Sequence, residues 1–275
     1  MPRRDGRDAT RFWRASRCPG LSLMHADLTS SRAFAPHVHE ALVIVVTEAG
    51  GAQVTSGGMT VRAHPGTLLV TNPAEPHAGR VAGGGGWRFR SFYLTRHGLG
   101  ALASGMGLAV APRVGGPLIA DAGLARRLLA AHRALEAEDG PESLLDALEA
   151  LWRHYPAGRM PDPPVSRAVG AALGILRDRY AEDLSVPALA AQVGLSPRHL
   201  IRAFNRSVGL PPHRYLTQVR LNAACRRLLR GGAIADVAAE VGFYDQPALT
   251  HHFKRCYGIT PHQFATALPP RGVPA

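Results

Sequence analysis

The 275-residue sequence has no long hydrophobic run. Its longest purely apolar stretch is Ala41 to Val46, against the roughly 20 residues that a membrane-spanning helix needs. The first residues, MPRRDGRDATRFWR, carry charge but no apolar segment, so no secretory signal is expected there. Cysteine is scarce: Cys18, Cys225 and Cys256 form no CxxC pair. Their odd number argues against a disulfide framework and fits a reducing compartment. Cys225 and Cys256 read as small buried apolar side chains. A soluble cytoplasmic protein with no membrane partner is the expectation. No GxGxxG opening a helix, phosphate loop, HExxH or Ser/His/Asp motif is found, so no catalytic residue and no cofactor are assigned. Lysine is almost missing, since Lys254 alone accompanies 31 arginines. With so much Ala and Gly, that skew reads as codon composition rather than phosphate binding.

Acidic residues are also few, 20 against 32 basic, for a formal net charge of +12. Such a balance favours an acidic partner: nucleic acid, an anionic membrane or an acidic ligand. Its distribution is uneven. Residues 166–275 hold 14 basic and 6 acidic residues, a net of +8. Residues 1–165 hold 18 and 14, and six of those 18 lie in the first 17. The charge therefore concentrates at the two ends. Hydrophobic residues make up 46%, enough for a packed core.

The chain reads as two halves. From Leu21 to about Leu118, runs such as Ala41–Thr47, Thr67–Thr71 and Trp87–Thr95 are rich in Val, Ile, Thr and aromatics. Turn signals separate them at Gly50-Gly51, Gly57-Gly58, His64-Pro65-Gly66, Asn72-Pro73 and Gly83 to Gly86. This spacing predicts an all-β sandwich or barrel. In Trp87–Thr95, alternation puts Trp87, Phe89, Ser91 and Tyr93 on one face and Arg88, Arg90, Phe92 and Leu94 on the other. From Asp121 the period becomes helical. Leucine spacing predicts helices over 121–137 and 141–155, which can pack back on the sheet or pair with a second subunit. Four prolines within Pro156–Pro164 mark a linker. Beyond it everything reads helical, beginning with Val165, Val169, Leu173, Leu176 and Tyr180 on one helix face.

An internal repeat is the most specific signal. Leu189–Tyr215 and Val237–Phe264 agree at ten positions when one residue is inserted near Asp245. The identities include Gly194 with Gly242, Leu200 with Leu249, Phe204 with Phe253, Arg206 with Arg255, and Gly209 with Gly258. Pro212-His213 also matches Pro261-His262. Each copy has the grammar of a helix-turn-helix. An alanine pair keeps the first helix thin, and Gly194 or Gly242 makes the tight turn. Ser196 and Asp245 are N-cap residues, with Pro197 at the first helical position of the first copy. Leu200, Phe204 and Val208 face the core, as do Leu249, Phe253 and Tyr257. Arg198, Ile201, Arg202 and Asn205 then point outward from the first helix. Gln246, Pro247, Thr250, His251 and Lys254 point outward from the second. One such copy, with outward arginines, is most often an ordinary solvated helix pair. Two copies in the basic half point to DNA.

On these residues, 166–268 resemble the DNA-binding domain of the AraC/XylS family of bacterial transcription regulators. GFYDQPALTHHFKRCYGITPHQF is similar to the family's second-motif signature. The resemblance implies seven helices, with two helix-turn-helix motifs joined by a long helix, here roughly Pro211–Arg230 with Leu221, Ala224, Cys225 and Leu228 as its apolar stripe. It implies that both recognition helices enter successive major grooves, about 34 Å apart. By position in the motif, Arg198, Ile201, Arg202, Gln246, Pro247, Thr250 and His251 would touch base edges. Arg206, Lys254 and Arg255 would meet phosphates, which position without specifying. His251 stands where many members have arginine, and Ile201 where many are polar, which suggests contact with a thymine methyl.

The front half resembles the cupin barrel of the same family's sensor domains. The carrying residues are Phe34-Ala-Pro-His37-Val-His39 and Pro65-Gly66 through Pro76-His77. The resemblance implies a small-molecule effector in the barrel. His37, His39, His77, Trp87, Phe89 and Tyr93 are the candidate pocket, apolar rings with a few polar tips. Metal cupins pair His-x-His with a glutamate a few residues on and a distant histidine. Here Glu40 follows His39 immediately, on the opposite strand face, and positions 42–46 are aliphatic, so no metal is assigned. The histidines then bond an effector or backbone.

The expected architecture is thus a flexible basic arm (1–19), a cupin-like effector and dimerisation domain (20–155), a linker (156–164), a double helix-turn-helix domain (165–268) and a tail (269–275). The expected function is an effector-controlled transcription regulator, not an enzyme, that binds double-stranded DNA as a homodimer. An activator would also touch RNA polymerase. The rival readings are a metal-dependent cupin enzyme fused to a DNA-binding domain, and a ligand-blind constitutive regulator.

Overall fold

The computed structural model describes residues 8–29, 32–157 and 166–267. They form two compact units, a β-rich one and an all-helical one. In the first, ten strands run in order: β1 (Ala9–Arg14), β2 (Leu21–Leu28), β3 (Ala33–His37), β4 (Ala41–Gly50), β5 (Ala52–Ser56), β6 (Met59–Ala63), β7 (Thr67–Thr71), β8 (His77–Val81), β9 (Trp87–Thr95) and β10 (Leu118–Ala120). Helix α1 (Arg96–Gly105) follows β9; α2 (Ala122–Glu136) and α3 (Glu142–His154) follow β10. A six-stranded sheet has the order β1-β2-β9-β4-β7-β10, and a four-stranded sheet the order β3-β8-β5-β6.

The run from β4 to β5 passes between the sheets at Gly50-Gly51. Gly50 has φ +66°, and a Cβ there would lie 2.0 Å from the Gly86 carbonyl oxygen. Only glycine fits this corner. The expected strands at β7 and β9 appear with the bounds read from sequence. Alternation along β9 also holds. Phe92 and Leu94 join Leu21, Leu23, Leu42, Ile44, Leu68 and Val70 in a core against the helices. Leu124, Leu128, Leu135, Leu144, Leu148 and Leu151 close it from α2 and α3. Both helices therefore spend their apolar stripes on the sheet.

Two expectations change. Residues 9–14, assigned to a flexible arm, form β1 in full antiparallel register with β2. The reason is alternation within a basic stretch. Trp13 packs on the helix-side core, while Phe12 meets the Tyr93 ring edge-on at 5.8 Å. Residues 1–7 of that arm, most of the linker and the tail from 268 lie outside the described residues. Helix α1 was unexpected. Thr95 caps it by accepting from the Gly98 amide, and Leu99 and Ala103 bury against the sheet.

The helix-facing side of β9 also carries charge into the core. Arg90 donates from Nε to Glu48 at 3.0 Å and from Nη1 to Glu136 at 2.6 Å. Burial alone would push both carboxyls up, but the bond and charge of Arg90 outweigh it and hold both below the usual range. His132 is fully buried beside them, between Trp13 and Phe92. Burial and then the Arg90 charge push its imidazole down to about 4.

The helical unit holds α4 (Arg167–Asp178), α5 (Val186–Gln192), α6 (Pro197–Val208), α7 (Pro212–Leu229), α8 (Ile234–Glu240), α9 (Gln246–Tyr257) and α10 (Pro261–Thr266). These are the seven helices that the resemblance implied. Helix α7 is the spine, with Leu221, Ala224 and Leu228 buried and Cys225 half-buried. From it Arg220 donates to the Tyr180 and Glu182 carbonyls, and Arg227 donates to Glu240. On the side of the second motif, Gln218 donates to Cys256 Sγ, and Tyr257 donates to Asn222 Oδ1.

Candidate nucleic-acid interface and ligand barrel

Each copy of the repeat is built as its residues dictate. Gly194 and Gly242 turn the chain at φ +69° and +87°. The Ser196 hydroxyl accepts from the His199 amide at 3.3 Å, and Asp245 Oδ1 accepts from the Ala248 amide at 2.7 Å. Pro197 and Pro247 occupy the first turns, where no amide donor is missed. Gly209 and Gly258 end α6 and α9 in the left-handed conformation, φ +76° and +77°. Leu200, Phe204, Leu249 and Phe253 are fully buried beneath them. Val208 and Tyr257 are half-buried.

Of the base-contact candidates, Arg198, Arg202, Gln246, Pro247 and His251 are exposed, while Ile201 and Thr250 are half-buried. Of the phosphate candidates, Arg206, Lys254 and Arg255 are all exposed. Arg198, Ile201, Arg202 and Arg206, spaced by three, one and four on α6, thus present cationic or apolar heads along one stripe. Helix α9 presents a more neutral one. Beside His251, His252 is half-buried and stacks on Phe243 at 5.7 Å, and burial with the neighbouring positive charges holds its pKa down.

Sequence reasoning missed Tyr244. It is the residue inserted in the second copy, standing just before the Asp245 cap, and it is 97% exposed. No other large hydrophobic residue among those described is as exposed. The signal was the insertion itself, which breaks an otherwise matched repeat at one aromatic.

In the β-rich unit, Trp87, Phe89 and Tyr93 line the face of β9 away from the helices. Trp87 and Phe89 are buried, with ring centroids 4.1 Å apart, and Trp87 Nε1 donates to Thr47 Oγ1 at 3.1 Å. That end is packed core. Tyr93 lies elsewhere, edge-on to His39 at 5.5 Å, and its hydroxyl donates to Met24 Sδ. Burial pushes the Tyr93 phenol up. His39 and His77 sit 5.1 Å apart. The candidate pocket is thereby divided, with Trp87 and Phe89 in one cluster and His39, His77 and Tyr93 in another.

His37, His39 and His77 can each bring one ring nitrogen within 4.8 Å of the others. His37 Nδ1 bonds the Ala35 carbonyl and His77 Nδ1 the Glu75 carbonyl. Burial pushes the His77 imidazole below its ordinary value. The carboxylate of a metal cupin is not added. Glu40 is exposed, and Glu75 accepts from Asn72 and Ser56.

Comparison with known proteins follows this division. Residues 19–155 match the AraC-like ligand binding domain, and residues 189–267 match a helix-turn-helix domain. The uncharacterised HTH-type transcriptional regulator YbfI of Bacillus subtilis is 29% identical over 232 residues, 78% of this chain and 80% of its own. The HTH-type transcriptional activator RhaS of Pectobacterium atrosepticum is 33% identical over 96 residues, 34% of each chain. Among solved structures, ToxT from Vibrio cholerae O395 shares the fold, with TM-score 0.54 and 10% identity over 97% of this chain and 99% of its own. No described helix is long and apolar enough to cross a membrane.

Proposed function

The chain belongs to the AraC family of DNA-binding transcription regulators and carries its ligand-binding domain, and on that premise we propose which residues read DNA and where the effector sits. Arg198, Ile201 and Arg202 on α6, with Gln246, Pro247, Thr250 and His251 on α9, read base edges. Arg206, Lys254 and Arg255 hold phosphates. Tyr244 adds an aromatic contact ahead of the second recognition helix, on sugar or an exposed base edge. The observation that carries this reading is the duplicated turn, with each recognition helix capped at both ends and its outer stripe exposed.

The effector site is the polar cluster of His39, His77 and Tyr93, with His37 at its edge. Trp87 and Phe89 support it as core. A molecule with an apolar body and one hydrogen-bonding group fits such a set. The protein acts as a homodimer through α2 and α3, and as a regulator without turnover. The domain limits are those read from sequence, except that the barrel begins at β1. Ligand binding biases which arrangement of DNA sites is occupied, a coupling between two sites.

A salt titration of DNA binding tests the reading. Phosphate anchoring by several arginines gives a steep fall of log affinity with log salt, about −0.9 per phosphate neutralised. A slope near zero contradicts it. A screen of small metabolites by thermal shift tests the sensor, since a ligand at 100 times its dissociation constant adds about 2.7 kcal/mol.

A further inference from the structure

The outer side of the six-stranded sheet carries a site that neither the DNA-binding nor the barrel reading uses. An open cleft of about 490 Å³ lies between β2, β4, β9, the Pro65-Gly66 turn and α2. That size suits a small ligand. Its lining is mixed: His25, Glu48, Arg88 and Arg133 bring polar groups to it, beside Thr47, Pro65, Gly66 and Leu129. It opens on the helix side of the sheet, opposite the face that carries Tyr93.

The charges in and around this cleft do not balance. Four guanidinium groups, from Arg11, Arg88, Arg90 and Arg133, gather about two carboxylates, Glu48 and Glu136. Arg90 is nearly buried, and its Nε and Nη1 donors are taken by the two carboxylates and His132. Arg11 is held by Glu136. Arg88 and Arg133 are left to share Glu48, at 3.9 and 3.2 Å, with side chains 49% and 62% exposed. Glu48 is the extra residue where the β4–β9 register shifts between Thr47 and Ala49, and such bulges re-aim a side chain. His25 Nε2 is buried on the same carboxylate, 3.2 Å from Oε2 but out of line for a hydrogen bond. A strand arginine, a helix arginine and a poorly satisfied imidazole thus converge on one carboxylate at an open cavity.

We propose that this cleft binds a small dianion, a phosphate monoester or a dicarboxylate, clamped between Arg88 and Arg133 with His25 completing the contacts. The anion supplies the negative charge that the site lacks, and charge-assisted bonds from two arginines orient it. Because Arg133 stands on α2, the ligand ties the sheet to that helix. The site is separate from the barrel cluster, so it stands or falls independently of the effector reading.

Isothermal titration of the full chain with inorganic phosphate and with succinate, at constant ionic strength and without DNA, tests it. The expected result is saturable one-to-one binding of at least one of the two, and which one binds tells the headgroup class. The Arg88→Ala/Arg133→Ala variant should weaken it about tenfold or more. Arg62→Ala, an exposed arginine outside the cleft, should leave it unchanged. The single variant Arg133→Gln serves if the double variant does not fold, and should also weaken binding. No saturable binding of either probe overturns the proposal. So does binding that survives in the cleft variants, which then belongs to the basic helical unit, or an equal loss in Arg62→Ala.

Discussion

The two turns of the repeat offer a paired test. Gly194 and Gly242 occupy the same position and the same left-handed backbone, φ +69° and +87°. Their surroundings differ. A Cβ on Gly194 would meet nothing within 4 Å. A Cβ on Gly242 would lie 2.7 Å from the Ala181 carbonyl oxygen and 3.0 Å from its Cα. Ala181 cannot easily yield, because Arg220 holds the carbonyls on both sides of it, at Tyr180 and Glu182. Gly194→Ala therefore carries only the left-handed penalty, about 1–2 kcal/mol. A stiffer unfolded chain offsets part of that, by about 0.4–1 kcal/mol, for a net cost of about 1 kcal/mol. Gly242→Ala adds overpacking against fixed backbone, about 1–3 kcal/mol more. Urea unfolding of the full chain reads both. Trp13, Trp87 and Trp152 all lie in the β-rich unit, so fluorescence is an internal control while far-UV circular dichroism follows the helices. The dichroism midpoint should fall slightly for Gly194→Ala and far more for Gly242→Ala, with the fluorescence midpoint unmoved. Equal losses, or a larger loss at Gly194, would refute the reasoning.

Three further outcomes are expected. Arg202→Ala should cost roughly 1–3 kcal/mol at a cognate site, and an equal loss on random DNA would mean that it only binds phosphate. Tyr244→Ala should weaken binding by about 1 kcal/mol or more while leaving the melting curve unchanged, and wild-type affinity in gel shift would remove it from the interface. Protons bind His132 more tightly in the unfolded chain, because its folded pKa is lowered to about 4. The stability that it contributes is thus present above its unfolded value and lost as pH falls from about 6.5 toward 4, at up to about 1.4 kcal/mol per pH unit. Tryptophan-monitored urea unfolding at pH 7, 6 and 5 should show this slope, flattened in His132→Gln, and an unchanged slope there would assign it elsewhere.

The helical unit was largely legible because its signals are local. Ser196 and Asp245 cap their own helices within three residues, and each glycine turn needs only its own φ. Strands β7 and β9 were equally readable from β-branched and aromatic runs. What the sequence hid depends on distant partners. Helix α1 contains three glycines, a poor helix former by propensity, and is held by Thr95 and by burial of Leu99. β1 reads as a charged arm until β2 pairs with it. Arg90 looks like a solvated strand residue, since Glu48 and Glu136 lie 42 and 46 positions away. The effector candidates do not form a single group. Alternation places Trp87, Phe89 and Tyr93 on one face without saying that they belong to different clusters along it.

The most direct measurement is affinity selection of genomic DNA by the full chain, followed by sequencing. The account predicts an enriched two-part site, its halves about 10 base pairs apart centre to centre, bound at least about a thousandfold more tightly than random DNA. Recovery of fragments with no shared motif, or of a motif that survives loss of both Arg202 and His251, would contradict it.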